Sequence, residues 1–363
     1  MMYPTVLRIL WFNWRDIKHP ESGGAEIYTH QILTRLARKG HSVTLFTTKT
    51  EGSLSSEEID GVLIIRHGGK YSVYRRAKQY FENYRSSYDL VIDEINGRPF
   101  LSPQIVNDRP VIAIFHQLIK EEWFYEIPFP INYFCYHVME KRWLIPYKDT
   151  QTITVSNSSL SDLESLGFTK VNVIQNGLDV DPLPKVSEKE VQPTICFIGR
   201  LRRHKLANHA IEAFKIIKNK IPDAKMWLIG DGPMRPYLQE RAGSDVQFFG
   251  YVPNILKYDL LRRAQLVLVP SVREGWGLVV IEANAMGTPV IGYDVPGLRD
   301  SILNEETGIL TKSSSPSSLA ESAFRLLTND EILERYSRNA LSYSRKFSWE
   351  ESAERFNDLI LSS

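Results

Sequence analysis

The residue types and spacings best suited to chemistry are two glutamates, Glu274 and Glu282, separated by seven residues in Arg273-Glu-Gly-Trp-Gly-Leu-Val-Val-Ile-Glu-Ala-Asn-Ala-Met-Gly-Thr-Pro-Val-Ile291. Gly275 and Gly277 let a ligand approach the backbone closely, and the start of a helix offers unpaired N–H groups that favour an anion, with phosphate the obvious candidate. Leu278, Val279, Val280, Ile281, Ala283, Ala285 and Met286 leave the helix no polar face, so it is expected to be buried, with Gly287 and Pro289 ending it. An ionised Glu282 inside such a helix needs a partner or a polar ligand. The plainer alternative is an ion pair between Glu282 and a distant basic residue, with Glu274 on a solvated loop.

Other groups fall where strands end. After the apolar run Ile195 to Ile198 comes Gly199-Arg-Leu-Arg-Arg-His-Lys205, and Arg200 and Lys205 would suit a diphosphate, one as a fork of donors and the other as a point charge. Near the N-terminus a strand from Val6 to Asn13 leads through a loop into a helix at Ser22-Gly-Gly-Ala-Glu26, where Gly23 and Gly24 suit close approach to a phosphate. The strand Tyr88 to Glu94 ends in Asp93-Glu-Ile-Asn-Gly97, and Val111 to Phe115 delivers His116 and Gln117 to the same edge. Glu94, Asn96 and Gln117 are therefore expected to project toward a ligand. The chain has neither G-x-G-x-x-G nor G-x-x-x-x-G-K-[ST], which argues against a nicotinamide enzyme and a P-loop nucleotidase.

These groups need a scaffold, and the pattern supplies one twice. Strand, loop, helix, strand recurs from Val6 to Ile174 and again from Ile195 onward, predicting two doubly wound parallel α/β domains. The proline-rich, charged connector Asp181 to Pro193 carries no periodicity and separates residues 1–183 from 184–346, while Ser348-Trp-Glu-Glu351 reads as a capping box opening a final helix over 347–363. Two segments stand out. Lys70 to Arg85 interleaves basic and aromatic residues, predicting a solvated helix packed on the sheet or a membrane-surface patch. Leu118 to Tyr147 is rich in aromatic residues, expected mostly in the core, or else forming an acceptor wall or an interfacial surface.

Composition sets outer bounds. The 363 residues suffice for two cores, and 43% hydrophobic with 24% charged residues is ordinary for a globular protein. A net charge of +1 gives no basic field for nucleic acid. Cys135 and Cys196 are the only cysteines, so neither a disulfide framework nor a metal-ligand spacing is evident. With no apolar leader and no 18-residue apolar run, a cytoplasmic, non-spanning protein is expected.

The ordered set of motifs resembles one family. The E-x7-E stretch is similar to the signature of retaining glycosyltransferases of family 4, and the likeness extends through Gly23-Gly24, His116, Thr154-Val-Ser156, Asn176-Gly-Leu-Asp179, Gly199-Arg-Leu201 with Lys205, Gly230-Asp-Gly-Pro233 and Phe249-Gly250. The resemblance implies the GT-B fold, two facing Rossmann-like domains with an interdomain cleft, an acceptor site on the first, a nucleotide-sugar site on the second, and a last helix that crosses back to the N-terminal domain. It implies that Arg200 and Lys205, with the backbone of Gly277, Leu278 and Gly24, hold the donor diphosphate without a metal or other cofactor. Glu282 would bind the ribose, Glu274 the transferred sugar, and His116 would line the reacting centre; Glu274 and His116 are the catalytic candidates. The implied reaction moves a hexose to a hydroxyl of a lipid-linked, polysaccharide or glycoprotein-precursor acceptor in glycan or cell-envelope synthesis, with retention of configuration. An epimerase or a catalytically silent nucleotide-sugar binder on the same fold are the alternatives. The enzyme would be cytoplasmic, and peripheral membrane contact would fall on 70–85 and 118–147. Leu206 departs from the family, which commonly has glycine there, and makes Arg202 and Arg203 alternative cations.

Overall fold

The computed structural model describes residues 6–362. The chain divides into two compact α/β units. The first runs to Lys120 and takes in Phe134–Gly177 and the final helix; the second comprises Glu121–Tyr133 and Leu178–Phe347.

The first unit holds strands β1 (Arg8–Phe12), β2 (Ser42–Thr47), β3 (Ser56–Ile59), β4 (Val62–Arg66), β5 (Leu90–Ile95), β6 (Val111–Phe115), β7 (Gln151–Thr154) and β8 (Val171–Val173). They form one sheet in the order β3-β4-β2-β1-β5-β6-β7-β8, parallel except for the β3–β4 pair. Helices cover a parallel sheet on both faces, so its central strands read as continuous apolar runs such as Ile9 to Phe12. The edge strand β3, Ser-Glu-Glu-Ile, is too polar to announce itself and did not figure in the sequence expectation. It joins β4 through Asp60-Gly61, both at positive φ, as a tight hairpin turn requires.

In the second unit, β9 (Thr194–Ile198), β10 (Lys225–Ile229), β11 (Val246–Gly250), β12 (Leu266–Val269), β13 (Val290–Tyr293) and β14 (Gly308–Thr311) make a parallel sheet ordered β11-β10-β9-β12-β13-β14. The helix Leu278–Ala285 is buried from Val280 to Ala285 and packs against the helices Asn254–Arg263 and Asp330–Ser344. Its lack of a polar face follows from that enclosure.

One boundary differs from the sequence expectation. The change of unit falls at Gly177 rather than at residue 183, because the connector is bonded into the second unit. The Leu183 N–H donates to Ala285 O at 3.0 Å, the Glu190 N–H to Arg263 O at 2.9 Å, and Lys189 Nζ to Thr288 Oγ1 at 2.8 Å. Proline-rich composition marked the absence of regular structure there, not the absence of contacts. The final helix, Trp349–Leu361, capped by Ser348, belongs to the first unit, where Trp11 stacks on Phe356 at 5.5 Å.

The aromatic stretch also departs from expectation. Tyr147 is buried, but Phe129 is 80% exposed, Tyr133 56% and Phe134 55%, and Phe124 and Tyr125 are exposed as well. Trp123–Glu126 is a single short helix, and Ile131–Phe134, the π-helical turn Cys135–Met139 and Glu140–Leu144 run on as one helical stretch that buries Asn132, Cys135, Glu140 and Leu144 and leaves Tyr133, Phe134 and Val138 outside. By contrast the helix Val73–Tyr84 buries Val73, Ala77 and Phe81 at helical spacing, with Tyr74 and Tyr80 packed partly against the same core. Among the described residues no helix is long and apolar enough to cross a membrane.

Candidate active site

In the second unit the carboxyl ends of β9 and β12 carry the basic loop and the first glutamate. The β9 loop is tied to the Gly230-Pro233 turn by the Leu201 N–H to Asp231 O bond, 2.8 Å, and by the Met234 N–H to Leu201 O bond, 3.0 Å. It closes in a short 3-10 turn, Arg203–Lys205, and then Leu206 enters the left-handed region at φ 51° before the helix Ala207–Lys218 begins. A glycine would take that conformation without steric cost, which is the physical meaning of the departure at this position.

Lys205 Nζ donates to Glu274 Oε1 at 2.5 Å, and the Ser271 hydroxyl donates to the same oxygen at 2.6 Å. Burial alone would raise the Glu274 pKa; the ammonium of Lys205, then the Ser271 hydroxyl and the nearby His204, hold it below the ordinary glutamate value. The backbone of Glu274 is pinned as well, its N–H reaching Pro296 O at 3.2 Å. Gly297 is required beside it, since a Cβ there would lie 2.1 Å from Glu274 O. Gly277, at φ 87°, is the N-cap of the helix Leu278–Ala285 and, lacking a side chain, makes no cap hydrogen bond of its own.

Glu282 is 6% exposed, and Lys257 Nζ lies 2.7 Å from its Oε1, with the Tyr258 hydroxyl at 3.5 Å. Burial raises the Glu282 pKa and nearby Asp179 adds to the rise, while Lys257 opposes both. The sequence reading left open whether this acid serves a ligand or an ion pair, and the structure supplies an internal cation. No pattern pointed to Lys257.

A further set of contacts was not anticipated. The Glu126 carboxylate, on Glu121–Tyr133, takes His204 Nδ1 at 2.7 Å and lies 3.6 Å from Arg202, and Glu121 accepts from Arg273 Nε at 3.1 Å. The basic loop therefore already meets carboxylates from an earlier part of the chain. Arg200 is half-buried on the same loop.

In the first unit His116 is placed at the end of β6, nearly buried, with Nε2 2.9 Å from Glu94 Oε1. Tyr28 packs edge-on against its ring at 5.1 Å. The expectation that Glu94 projects toward an acceptor is corrected: it is fully buried, and its oxygens also accept from Trp11 Nε1 at 2.7 Å, Thr29 Oγ1 at 2.5 Å and Asn96 Nδ2 at 3.1 Å. Its neighbour Asp93 is likewise turned inward, bonded to Tyr147 and to the backbone of Ser102. Both carboxylates lie within a strand whose two faces are covered, so neither reaches the edge. Asn96 and Gln117, just past their strands, are half-buried.

Gly23 and Gly24 begin the first helix, but the Gly23 N–H is bonded to Glu26 Oε2 at 2.6 Å, and Arg15 Nε meets the other Glu26 oxygen at 2.8 Å. The chain thus seats its own carboxylate at that helix start, while Gly24 stays exposed. Arg15, Glu26, Trp11 and Thr29 were not singled out from sequence; Glu26, three residues after the N-cap, carried a readable capping signal.

Two family models match in succession: one described as Glycosyltransferase Family 4 over residues 22–182, and one described as Glycosyl transferases group 1 over residues 181–343. The D-inositol 3-phosphate glycosyltransferase of Corynebacterium glutamicum (strain R) is 27% identical over 396 aligned positions, covering 93% of this chain and 91% of that protein. Among solved structures, the sucrose-phosphate synthase of Thermosynechococcus elongatus matches at TM-score 0.82 and 21% identity over 98% of both chains. Anabaena Alr3699/HepE in complex with UDP-glucose matches at TM-score 0.76 and 16% identity, covering 98% of this chain and all of that one. These two likenesses show the fold, and with both glycosyltransferase models spanning nearly the whole sequence, the chain is a glycosyltransferase of the GT-B type.

Proposed function

We propose that this glycosyltransferase takes its sugar from a nucleotide-diphosphate donor held by the second unit and transfers it with retention of configuration to a hydroxyl of a glycan, lipid-linked or polyol acceptor. The observation that carries the reading is the Lys205–Glu274 pair. Breaking a sugar–phosphate bond develops positive charge on the sugar and negative charge on the diphosphate. An ammonium and an ionised carboxylate 2.5 Å apart offer the two complementary charges at one place. Arg200 adds a second cation on the same loop, and the helix start at Gly277 and Leu278 adds N–H groups.

In this reading Lys205 exchanges part of its bond to Glu274 for the leaving diphosphate, and Glu274 turns to the transferred sugar. Glu282, kept in place by Lys257, meets the ribose hydroxyls. His116 serves at the reacting sugar, and Gly24, Asn96 and Gln117 are polar or open positions at the carboxyl edge of the first sheet. Charge neutralisation by side chains makes the transfer metal-independent. The retaining outcome draws its support from the E-x7-E resemblance, and the polyol acceptor from the inositol phosphate named for the Corynebacterium relative. The exposed rings between Phe124 and Phe134, and the basic face of the helix Val73–Tyr84, support a peripheral role at the cytoplasmic face of a membrane.

The test is a thermal-shift screen of UDP-, GDP- and ADP-sugars in the presence of EDTA, followed by turnover with and without candidate acceptors. Stabilisation by one donor class and product formation only with acceptor support the reading. Donor conversion without any acceptor identifies an epimerase instead, and no shift with any donor contradicts the proposal.

A further inference from the structure

Glu94 spends both oxygens. Oε2 accepts from the Trp11 indole N–H at 2.7 Å and from the Thr29 hydroxyl at 2.5 Å, while Oε1 accepts from Asn96 Nδ2 at 3.1 Å and faces His116 Nε2 at 2.9 Å. A carboxylate making such contacts is an acceptor only, so the histidine must present a proton at Nε2. The other ring nitrogen, Nδ1, has no hydrogen-bond partner among the described residues. The ring cannot tilt freely, because Tyr28 packs edge-on against it and the His116 carbonyl accepts from Ser159 Oγ at 3.2 Å.

We infer that Glu94 is a positioning residue that fixes His116 as its Nε2–H tautomer and leaves the lone pair of Nδ1 to meet the substrate. The inference rests on the reading that places His116 at the reacting sugar. It assigns a direction to that residue: Nδ1 accepts a hydrogen bond or a proton from a hydroxyl, while Nε2 stays committed to the protein.

The Glu94→Gln variant tests this without changing shape. The Trp11 indole can only donate, so the glutamine carbonyl stays on the Trp11 side and its NH2 faces His116 and Asn96, whose amide turns over so that its oxygen accepts. Nε2 then has to accept, and the ring proton moves to Nδ1. The expected result, by nitrogen-15 NMR of the histidine side chains, is that the protonated and unprotonated nitrogen signals of His116 exchange identity in E94Q, with kcat reduced about a hundredfold and donor KM within threefold.

A second variant guards against a general loss of structure. In W11F/E94Q the indole donor is gone, and the Thr29 hydroxyl can turn to Ala25 O, 3.0 Å away, and accept from the glutamine NH2. The carbonyl can then face His116, restoring the Nε2–H tautomer and most of the lost kcat. Unchanged ring signals in E94Q overturn the inference. An exchanged tautomer with wild-type kcat also overturns it, and that failure falls on the place given to His116 in the reaction rather than on the tautomer geometry.

Discussion

The ammonium of Lys205 lies 2.5 Å from the Glu274 carboxylate, which the Ser271 hydroxyl supports from the side at 2.6 Å. Both side chains are mostly buried, at 19% and 16% exposure, so each charge has the other as its close counter-charge. Removing one partner of such a pair leaves an uncompensated charge and costs about 3–5 kcal/mol, whereas replacing both with neutral groups costs far less. K205M is therefore expected to destabilise the second unit by about that amount, and K205M/E274Q to recover most of the loss without recovering transfer. Urea unfolding of the four proteins of the cycle measures it. A single variant as stable as wild type would show that the pair is not coupled.

The two glutamates respond to pH in opposite directions. Glu274 has a folded pKa below its ordinary value of 4.5, so its contribution to stability is present above that pH and is lost as pH falls through the lowered folded value. Glu282 has a folded pKa above 4.5, so its contribution is fully present below 4.5 and is lost as pH rises through the raised value. Across that window, stability of wild type relative to E274Q grows with pH, and relative to E282Q it shrinks. Unfolding free energies measured from pH 3 upward check both slopes, and slopes of the same sign would contradict the assignment.

Leu206 combines a left-handed backbone with a buried side chain. The conformation costs roughly 1–2 kcal/mol for a residue with a Cβ, and truncating a buried leucine costs about 2–5 kcal/mol. Leucine is therefore retained for its packing with the core that includes Leu201 and Ala210. L206G should be less stable than wild type and more stable than L206A, by about 1 kcal/mol. Helix propensity alone gives the reverse order for the two variants. Chemical denaturation distinguishes the two orders.

Segment Glu121–Tyr133 is fastened to the second unit by Glu126 with His204 and by Glu121 with Arg273. The hydrogen bond from His204 holds the Glu126 pKa below its ordinary value, so the carboxylate is charged at neutral pH. Glu126 is partly exposed, which limits its contribution to about 1 kcal/mol, or roughly a fivefold change in local opening. E126Q is expected to raise the rate of limited proteolysis within this segment by that factor, with cleavage elsewhere unchanged. Equal rates at all sites would remove the fastening role.

The parallel framework was legible because buried parallel strands are continuous apolar runs, as in Ile9 to Phe12 and Leu266 to Val269. The glutamates, the basic loop and His116 were legible because each follows directly on such a run or breaks an apolar helix. What escaped the sequence were the partners. Lys257, Trp11, Thr29 and Glu126 sit in ordinary helical or strand contexts, and only the tertiary fold brings them to Glu282, Glu94 and His204. The inward turn of Glu94 was missed for a related reason: a polar residue near a strand end can lie one position short of the edge and be enclosed on both faces.

The most direct measurement is calorimetric titration of wild type, K205M and E282Q with the donor found by screening, in EDTA. On the proposed placement, the expected result is metal-independent binding by wild type, a loss of at least tenfold in affinity for K205M, which removes the cation proposed for the diphosphate, and a comparable loss for E282Q, which removes the carboxylate proposed for the ribose. Wild-type affinity in both variants would contradict placement of the donor at the Lys205–Glu274 loop.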